Sequence, residues 1–401
     1  MRIGIDTRFL HLGLTHSKEM DLLGGVAGYL YYLVLHLLEA EEDDSFVLLA
    51  DESRPIEPFQ KLVQDRPNVE LLPAASPFHM PLVDGSIGAA VRMAQDRLLK
   101  IPMVNKAGLD VLHTHEDVLG LTGTDTREVV SIHSFLARRV LTEGIGKYVW
   151  HRKLDRFRRA SRLVAISSSL SEDIVDCLGV DPDRVTTIHH GYDSNIFRPI
   201  DAQDEVSARL TEYGVPEEFL LYVGGLAPEK NVPNLLRGYR AAAEEYGVDL
   251  PLVMCGLMPK FYKREFLRVT SLIRQLGIRD RVNILHYVPH RDLPAFYNRA
   301  SLVLSPSYSE GFGLVPLEAM ACGAPVVVSN RPAIPEIVGN AGYYVDPDDI
   351  DEIAQGVYKV VHDTTLRTEM RERGQERAEC FTWKKCVRET LSLYRDVANV
   401  D

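Results

Sequence analysis

Short apolar runs alternate along this chain with longer stretches whose apolar positions recur every three or four residues. The runs "RIGID", "FVLLA" (46–50), "VELL" (69–72), "DVLHT" (110–114), "EVVSIH" (128–133), "RLVAIS" (162–167) and "RVTTIH" (184–189) read as strands. Most are continuously apolar rather than alternating. That pattern suits parallel strands covered by helices on both faces. Helical stretches such as "GYLYYLVLHLLEAEE" and "KYVWHRKLDRFRRA" lie between them. The alternation predicts an open α/β sheet.

The segment "NIFRPIDAQDEVSARLTEYGVP" breaks this rhythm with prolines and acidic residues, which predicts a boundary near Pro199. Strand runs then resume with "EFLLYVGG" (218–225), "LPLVMCG" (250–256), "RVNILHYV" (281–288), "SLVLSP" (301–306) and "APVVVSN" (324–330). The expectation is two doubly wound, Rossmann-like domains in tandem, residues 1–198 and 199–380. A chain of 401 residues exceeds one ordinary core. The final helix, 381–401, follows the second sheet, and its pattern is compatible with packing there or back on the first domain. Ligands of open α/β sheets bind outside the carboxyl ends of the strands. Two such sheets facing each other predict an interdomain cleft.

Composition narrows the function. The formal net charge of −12 argues against nucleic acid as the main partner, because phosphate binding needs a basic surface. Five scattered cysteines, Cys177, Cys255, Cys322, Cys380 and Cys386, show no metal-type spacing and fit a reducing compartment. "MRIGIDTRFL" enters a strand pattern with no signal peptide, and no apolar run approaches a membrane span. A soluble, cytoplasmic protein is expected. The basic run 147–162, "KYVWHRKLDRFRRASR", is plainly read as a solvated helix face. Its sharper reading is an amphipathic helix anchored by Val149, Leu154 and Phe157 on anionic lipid at the inner face of the membrane, or on a phosphorylated acceptor.

Chemistry concentrates in "SPSYSEGFGLVPLEAMACGAPVVVSN", residues 305–330. Two carboxylates, Glu310 and Glu318, stand in an apolar, glycine-rich strand–turn–helix unit, where unpaired charge is costly. Pro316 suits a first helical turn and would place Glu318 in it. Gly311 and Gly313 let a ligand approach the backbone closely. The helix N-terminus offers free N–H groups and a positive dipole end to a diphosphate. A carboxylate in the first turn can accept from a vicinal diol such as a ribose, and one in the loop from the hydroxyls of a second sugar.

This segment resembles the E-x7-E motif of retaining glycosyltransferases of family 4, which have the GT-B fold. The resemblance extends through "EAMACGAPVVVSNRPAIPEIVGNAGYYVDPDD", "VPHRDLPAFYNRASLVLSPSYSEGFG", "LLYVGGLAPEKNVPNLLRGY", "HHGYDSNIFRP", "LVAISSSLSEDI", "VVSIHS" and "LGGVAGYLYYL". It covers nearly the whole chain and is weakest across residues 50–105. It implies transfer of a hexose from a UDP-, GDP- or ADP-sugar, with retention at the anomeric carbon, to an acceptor hydroxyl on a glycan, a lipid or a small molecule. Glu318 would hold the ribose and Glu310 the hexose. Lys230 and the N–H groups of Gly313, Leu314 and Val315 would hold the diphosphate, with Gly311 and Phe312 beside the donor. His133 would lie by the donor sugar, and the loop with Gly24 and Gly25 near the phosphates and the acceptor.

One turn departs from the family. "YVGGLAPEKN" stands where the family usually reads G-R-x-x-x-x-K, so Gly224 and Lys230 are kept while Gly225 replaces the arginine. A guanidinium bonds phosphate bidentately and a bare lysine does not. That departure favours an alternative reading, a sugar-nucleotide-binding scaffold with impaired catalysis. A GT-B phosphorylase is a further alternative, but no motif marks the pyridoxal-bound lysine it would use. His286 stands where the family often has a glycine near the donor base. "HTH" (113–115), "DPD" (181–183) and "DPDD" (346–349) could suggest metal ligands, but the first reads as a strand end and the others as proline turns. No metal and no cofactor are expected.

Overall fold

The computed structural model describes residues 1–8, 25–40, 43–50, 63–64, 66–73, 101–116, 124–134, 144–256 and 262–399; Gly24 lies outside the described residues. Contacts divide the chain into two compact units, Met1–His190 with Trp383–Asp401, and Gly191–Thr382.

The first unit holds a parallel sheet of β1 (Arg2–Asp6), β2 (Ser45–Ala50), β3 (Val69–Pro73), β4 (Val111–His115), β5 (Arg127–Ile132), β6 (Arg162–Ala165) and β7 (Val185–Thr187). Their spatial order is β3-β2-β1-β4-β5-β6-β7. The register sets Ile3 opposite Phe46 on one side and Val111 on the other. Every residue of β4 is buried, including the polar His113, Thr114 and His115, so the strand is covered on both faces. The helix Gly25–Ala40 and the last helix, Trp383–Ala398, share this core through Leu33, Leu37, Leu391 and Tyr394.

The second unit holds β8 (Leu220–Val223), β9 (Leu252–Cys255), β10 (Val282–Leu285), β11 (Leu302–Ser305), β12 (Val326–Ser329) and β13 (Tyr343–Val345), also parallel. Their order is β10-β9-β8-β11-β12-β13. β13 is an edge strand of three half-buried to buried residues, too short to stand out in the apolar pattern. In both sheets the order reverses beside the first strand, between β1 and β4 and between β8 and β11. Doubly wound sheets open their ligand crevice at such a switch point.

The units part at His190/Gly191, ahead of the proline-rich break near Pro199. The intervening residues are already tied into the second unit. Tyr192 bridges to Thr382, the buried Phe197 packs edge-on against His290, and the Ile200 N–H donates to Asn298 Oδ1 at 2.8 Å.

The basic run lies in the helix Gly144–Arg159, and much of it faces inward. Arg156 is 1% exposed; its Nη2 donates to Glu128 Oε1 at 2.7 Å and its Nε to the same oxygen at 3.1 Å. Lys153 is buried, and Phe157, expected as a membrane anchor, sits in the core at 1% exposure. No described helix is long and apolar enough to cross a membrane.

Candidate functional site

At the switch point of the second sheet, the turns after β8 and β11 are laced together by their backbones. Gly224 has φ 151°, a conformation that favours glycine, and its N–H donates to Cys255 O at 3.0 Å. A short 3-10 turn, Pro228–Lys230, follows and ends on Asn231 at φ 54°. Asparagine is among the few side-chain-bearing residues that take this left-handed conformation readily. The buried Asn231 Nδ2 donates to Pro306 O at 3.0 Å and to Pro347 O at 2.7 Å. Tyr308 N–H donates to Glu229 O at 2.8 Å. The loop carrying Lys230 is thereby held against the loop carrying Glu310.

The two side chains meet. Lys230 Nζ donates to Glu310 Oε1 at 2.9 Å and Oε2 at 2.8 Å, and Ser307 Oγ donates to Oε1 at 2.8 Å. The pair is half-buried, with the lysine side chain 28% exposed and the glutamate 14%. Close by, the Tyr222 hydroxyl donates to Gly225 O at 2.6 Å. Burial, and then the charges of Glu310 and Glu229, push that phenol far above its usual range.

Glu318 sits differently from the expectation. The helix runs Leu314–Ala321 and is capped by Gly313 at φ 112°, so it starts two residues before Pro316 and puts Glu318 in its second turn. The left-handed Gly313 moves the start. Pro316 remains tolerable because the N–H it lacks would have had no intrahelical acceptor. The first turn still presents the N–H groups of Leu314 and Val315. Glu318 Oε2 accepts from the Tyr297 hydroxyl at 3.1 Å, and Oε1 lies 3.6 Å from His290 Nε2. Burial first, and then the Glu318 charge, hold the Tyr297 hydroxyl protonated well above its ordinary range. Phe312, expected beside the donor, has its ring buried edge-on against Phe381.

His133 belongs to the first unit and follows β5. Its N–H and that of Ser134 both donate to Glu116 Oε2, at 3.0 and 3.1 Å. The ring is 7% exposed, meets Tyr29 edge-on at 4.7 Å, and has no hydrogen-bond partner for either nitrogen among the described residues. Burial, then the neighbouring His190, His115, His113 and Lys153, lower its pKa well below the usual histidine range. His133 is therefore neutral at pH 7. His113 bonds Ser131 Oγ at 2.8 Å and the Tyr394 hydroxyl, and burial lowers it to about 3. The described residues contain no group of three or more side chains arranged to hold a metal.

Several residues of these sites carry no sequence signal. Ser307 lies three residues before Glu310 in the same loop, whereas Tyr297, His290 and Glu116 are brought to Glu318 or to His133 by the packing of separate elements. Asn231 is the exception, since an asparagine directly after a short proline turn hints at a left-handed residue.

Comparison with known proteins agrees with this architecture. Residues 211–377 match the family model described as Glycosyl transferases group 1, and residues 23–195 that described as Glycosyltransferase Family 4. The chain is 32% identical over 247 residues to O-antigen chain mannosyltransferase B of Escherichia coli, covering 61% of this chain and 62% of that protein. It is 33% identical over 246 residues to D-inositol 3-phosphate glycosyltransferase 1 of Catenulispora acidiphila, covering 59% and 57%. The match thus spans less than two thirds of either relative. Among solved structures, sucrose-phosphate synthase from Thermosynechococcus elongatus has a TM-score of 0.77 at 19% identity, with 99% of each chain covered. Anabaena HepE in complex with UDP and glucose has a TM-score of 0.73 at 17% identity, with 99% and 100% covered. At such identities these likenesses establish the fold alone, which is GT-B.

Proposed function

The chain belongs to the group 1 glycosyltransferases, and on that premise we propose that it is a retaining hexosyltransferase that uses a nucleotide-diphosphate sugar. The donor binds the second unit at the β8/β11 switch point. Glu318 accepts the ribose hydroxyls, and Glu310 accepts hydroxyls of the hexose. The diphosphate takes Lys230 and the free N–H groups at the start of the helix Leu314–Ala321.

The observation that carries this reading is the Lys230–Glu310 pair, at 2.8 and 2.9 Å, in a glycine-rich crevice. Without donor, each charge neutralises the other. A diphosphate would draw the ammonium to itself and release the carboxylate for sugar hydroxyls. One binding event thus exchanges an internal ion pair for two charge-assisted contacts with ligand.

In the reaction the bond from the anomeric carbon to the phosphate oxygen breaks. The acceptor oxygen bonds the same carbon from the same face. The departing phosphate takes the acceptor's proton. No step needs a protein nucleophile, so rate acceleration rests on positioning and on stabilising leaving-group charge. The likeness to a mannosyltransferase favours a hexose donor. The reaction is proposed to need no metal, and chelation by EDTA should leave turnover unchanged. Among the described side chains of the basic helix, Arg158 and Arg159 stay exposed; we propose peripheral contact there with anionic lipid, which vesicle flotation tests.

A thermal-shift screen of UDP-, GDP- and ADP-hexoses tests the reading. One nucleotide class should raise the melting temperature by mass action, and the purified protein should release the matching nucleoside diphosphate. Silence across all three classes, with no release, overturns it.

A further inference from the structure

Two glycines open the turn after β8, and different forces require each of them. Gly224 has φ 151°, and a Cβ there would lie 3.0 Å from the Tyr222 hydroxyl. Its backbone needs glycine. Gly225 is not among the residues with positive φ, so its backbone would accept any side chain. What crowds one is a neighbour: a Cβ at Gly225 would lie 3.3 Å from Cε2 of Tyr262, 3.8 Å from Cζ and 3.9 Å from the hydroxyl oxygen, so the ring would have to give by a few tenths of an ångström. The Tyr262 ring already occupies the space into which a side chain at 225 would grow.

Tyr262 is well placed to hold that position. It caps the helix Lys263–Gln275, and its carbonyl accepts from Phe266 N–H at 2.8 Å. Its ring is half-buried against the core of the second unit. No described residue hydrogen-bonds its hydroxyl. Gly225 links this ring to the rest of the site through Tyr222. The Tyr222 hydroxyl bonds Gly225 O at 2.6 Å and feels the charge of Glu310, which in turn grips Lys230.

We propose that Tyr262 stands in for the arginine that position 225 lacks, donating its phenolic hydrogen to the diphosphate of the bound donor. The inference rests on the donor site proposed above and names a further residue of it. A phenol brings a hydrogen bond without a charge. The site should therefore hold its diphosphate with less screening by salt than a guanidinium would give. The small residue at 225 and the aromatic at 262 form one unit: a side chain at one position requires space at the other.

The test is titration calorimetry with UDP, GDP and ADP, carried forward with whichever binds. Tyr262→Phe removes only the hydroxyl. It should weaken the nucleoside diphosphate about five- to tenfold, as expected for one neutral hydrogen bond, and leave the corresponding nucleoside unaffected. A purely structural ring would shift both ligands or neither. Gly225→Arg alone meets the ring and should gain no affinity. Gly225→Arg with Tyr262→Ala opens the space, and should restore diphosphate affinity with a steeper salt dependence. Unaltered diphosphate affinity in Tyr262→Phe overturns the inference, as does a gain in affinity from Gly225→Arg with Tyr262 in place. If Lys230→Ala weakens the diphosphate while Tyr262→Phe does not, the donor site stands and the role of Tyr262 falls. If the unaltered protein binds none of the three, both fall together.

Discussion

Glu310→Ala separates the two jobs of the carboxylate. In the structure it accepts two hydrogen bonds from Lys230, at 2.9 and 2.8 Å, and one from Ser307 at 2.8 Å. Exposed ion pairs contribute about 0–1 kcal/mol, and hydrogen bonds to charged groups about 1.5–3 kcal/mol. The pair is half-buried and Lys230 can turn toward water, so the loss of stability should stay near 1–2 kcal/mol. In a unit of this size that lowers the melting temperature by roughly 2–8 °C. The catalytic loss should be larger. Removing charged acceptors of one or two sugar hydroxyls costs the transition state about 2–4 kcal/mol, or roughly 30- to 1000-fold in turnover. Nucleoside diphosphate binding should move the other way. Without Glu310 the Lys230 ammonium no longer has to leave a partner to reach phosphate, so free nucleoside diphosphate should bind as tightly as before, or more tightly. Coupled release of the nucleoside diphosphate, a thermal melt and calorimetry measure the three quantities. A folded Glu310→Ala protein that keeps half its turnover would refute the sugar-binding role. One that melts more than about 15 °C lower would show the carboxylate to be structural.

Three further outcomes follow from contacts elsewhere. Tyr297→Phe removes the hydroxyl that donates to Glu318 Oε2 and should raise the donor KM about five- to tenfold with little change in kcat; an unchanged KM would detach Tyr297 from the ribose site. His113 and His190 are lowered to about 3 by burial, and His133 is lowered further than the usual range for the same first cause. The unfolded chain binds protons at these groups from about pH 6.5 downward while the folded chain does not, so stability is full above that pH and falls as the pH drops toward 3. Urea melts between pH 7 and 5, above most carboxylate titration, should show a loss of up to about 1.4 kcal/mol per pH unit for each such histidine; a flat profile would contradict their burial. Arg156→Ala strands Glu128 at the edge of the first unit's core and should destabilise that unit by about 3–5 kcal/mol, whereas a loss under 1 kcal/mol in a denaturant melt would mean that the helix Gly144–Arg159 holds its place without the pair.

What the sequence determined by itself is local. Continuous apolar runs such as "EVVSIH" and "APVVVSN" specify buried parallel strands, because a strand covered on both faces has no polar side to alternate with. The glycine-rich turn before Leu314 and the spacing of Glu310 and Glu318 place two carboxylates on one strand–loop–helix unit, since a few residues of chain set that geometry. The tertiary structure decided what those carboxylates touch. Lys230 reaches Glu310 across 80 residues only because β8 lies beside β11. Tyr297 reaches Glu318, Tyr262 fills the space over Gly225, and Arg156 turns inward to Glu128 through packing between elements far apart in the chain. The helix start at Leu314 also depended on a left-handed Gly313 that Pro316 does not announce. Periodicity carries information over a turn or a strand. The order in which strands assemble, and so the partner each charge finds, emerges only when the sheets close.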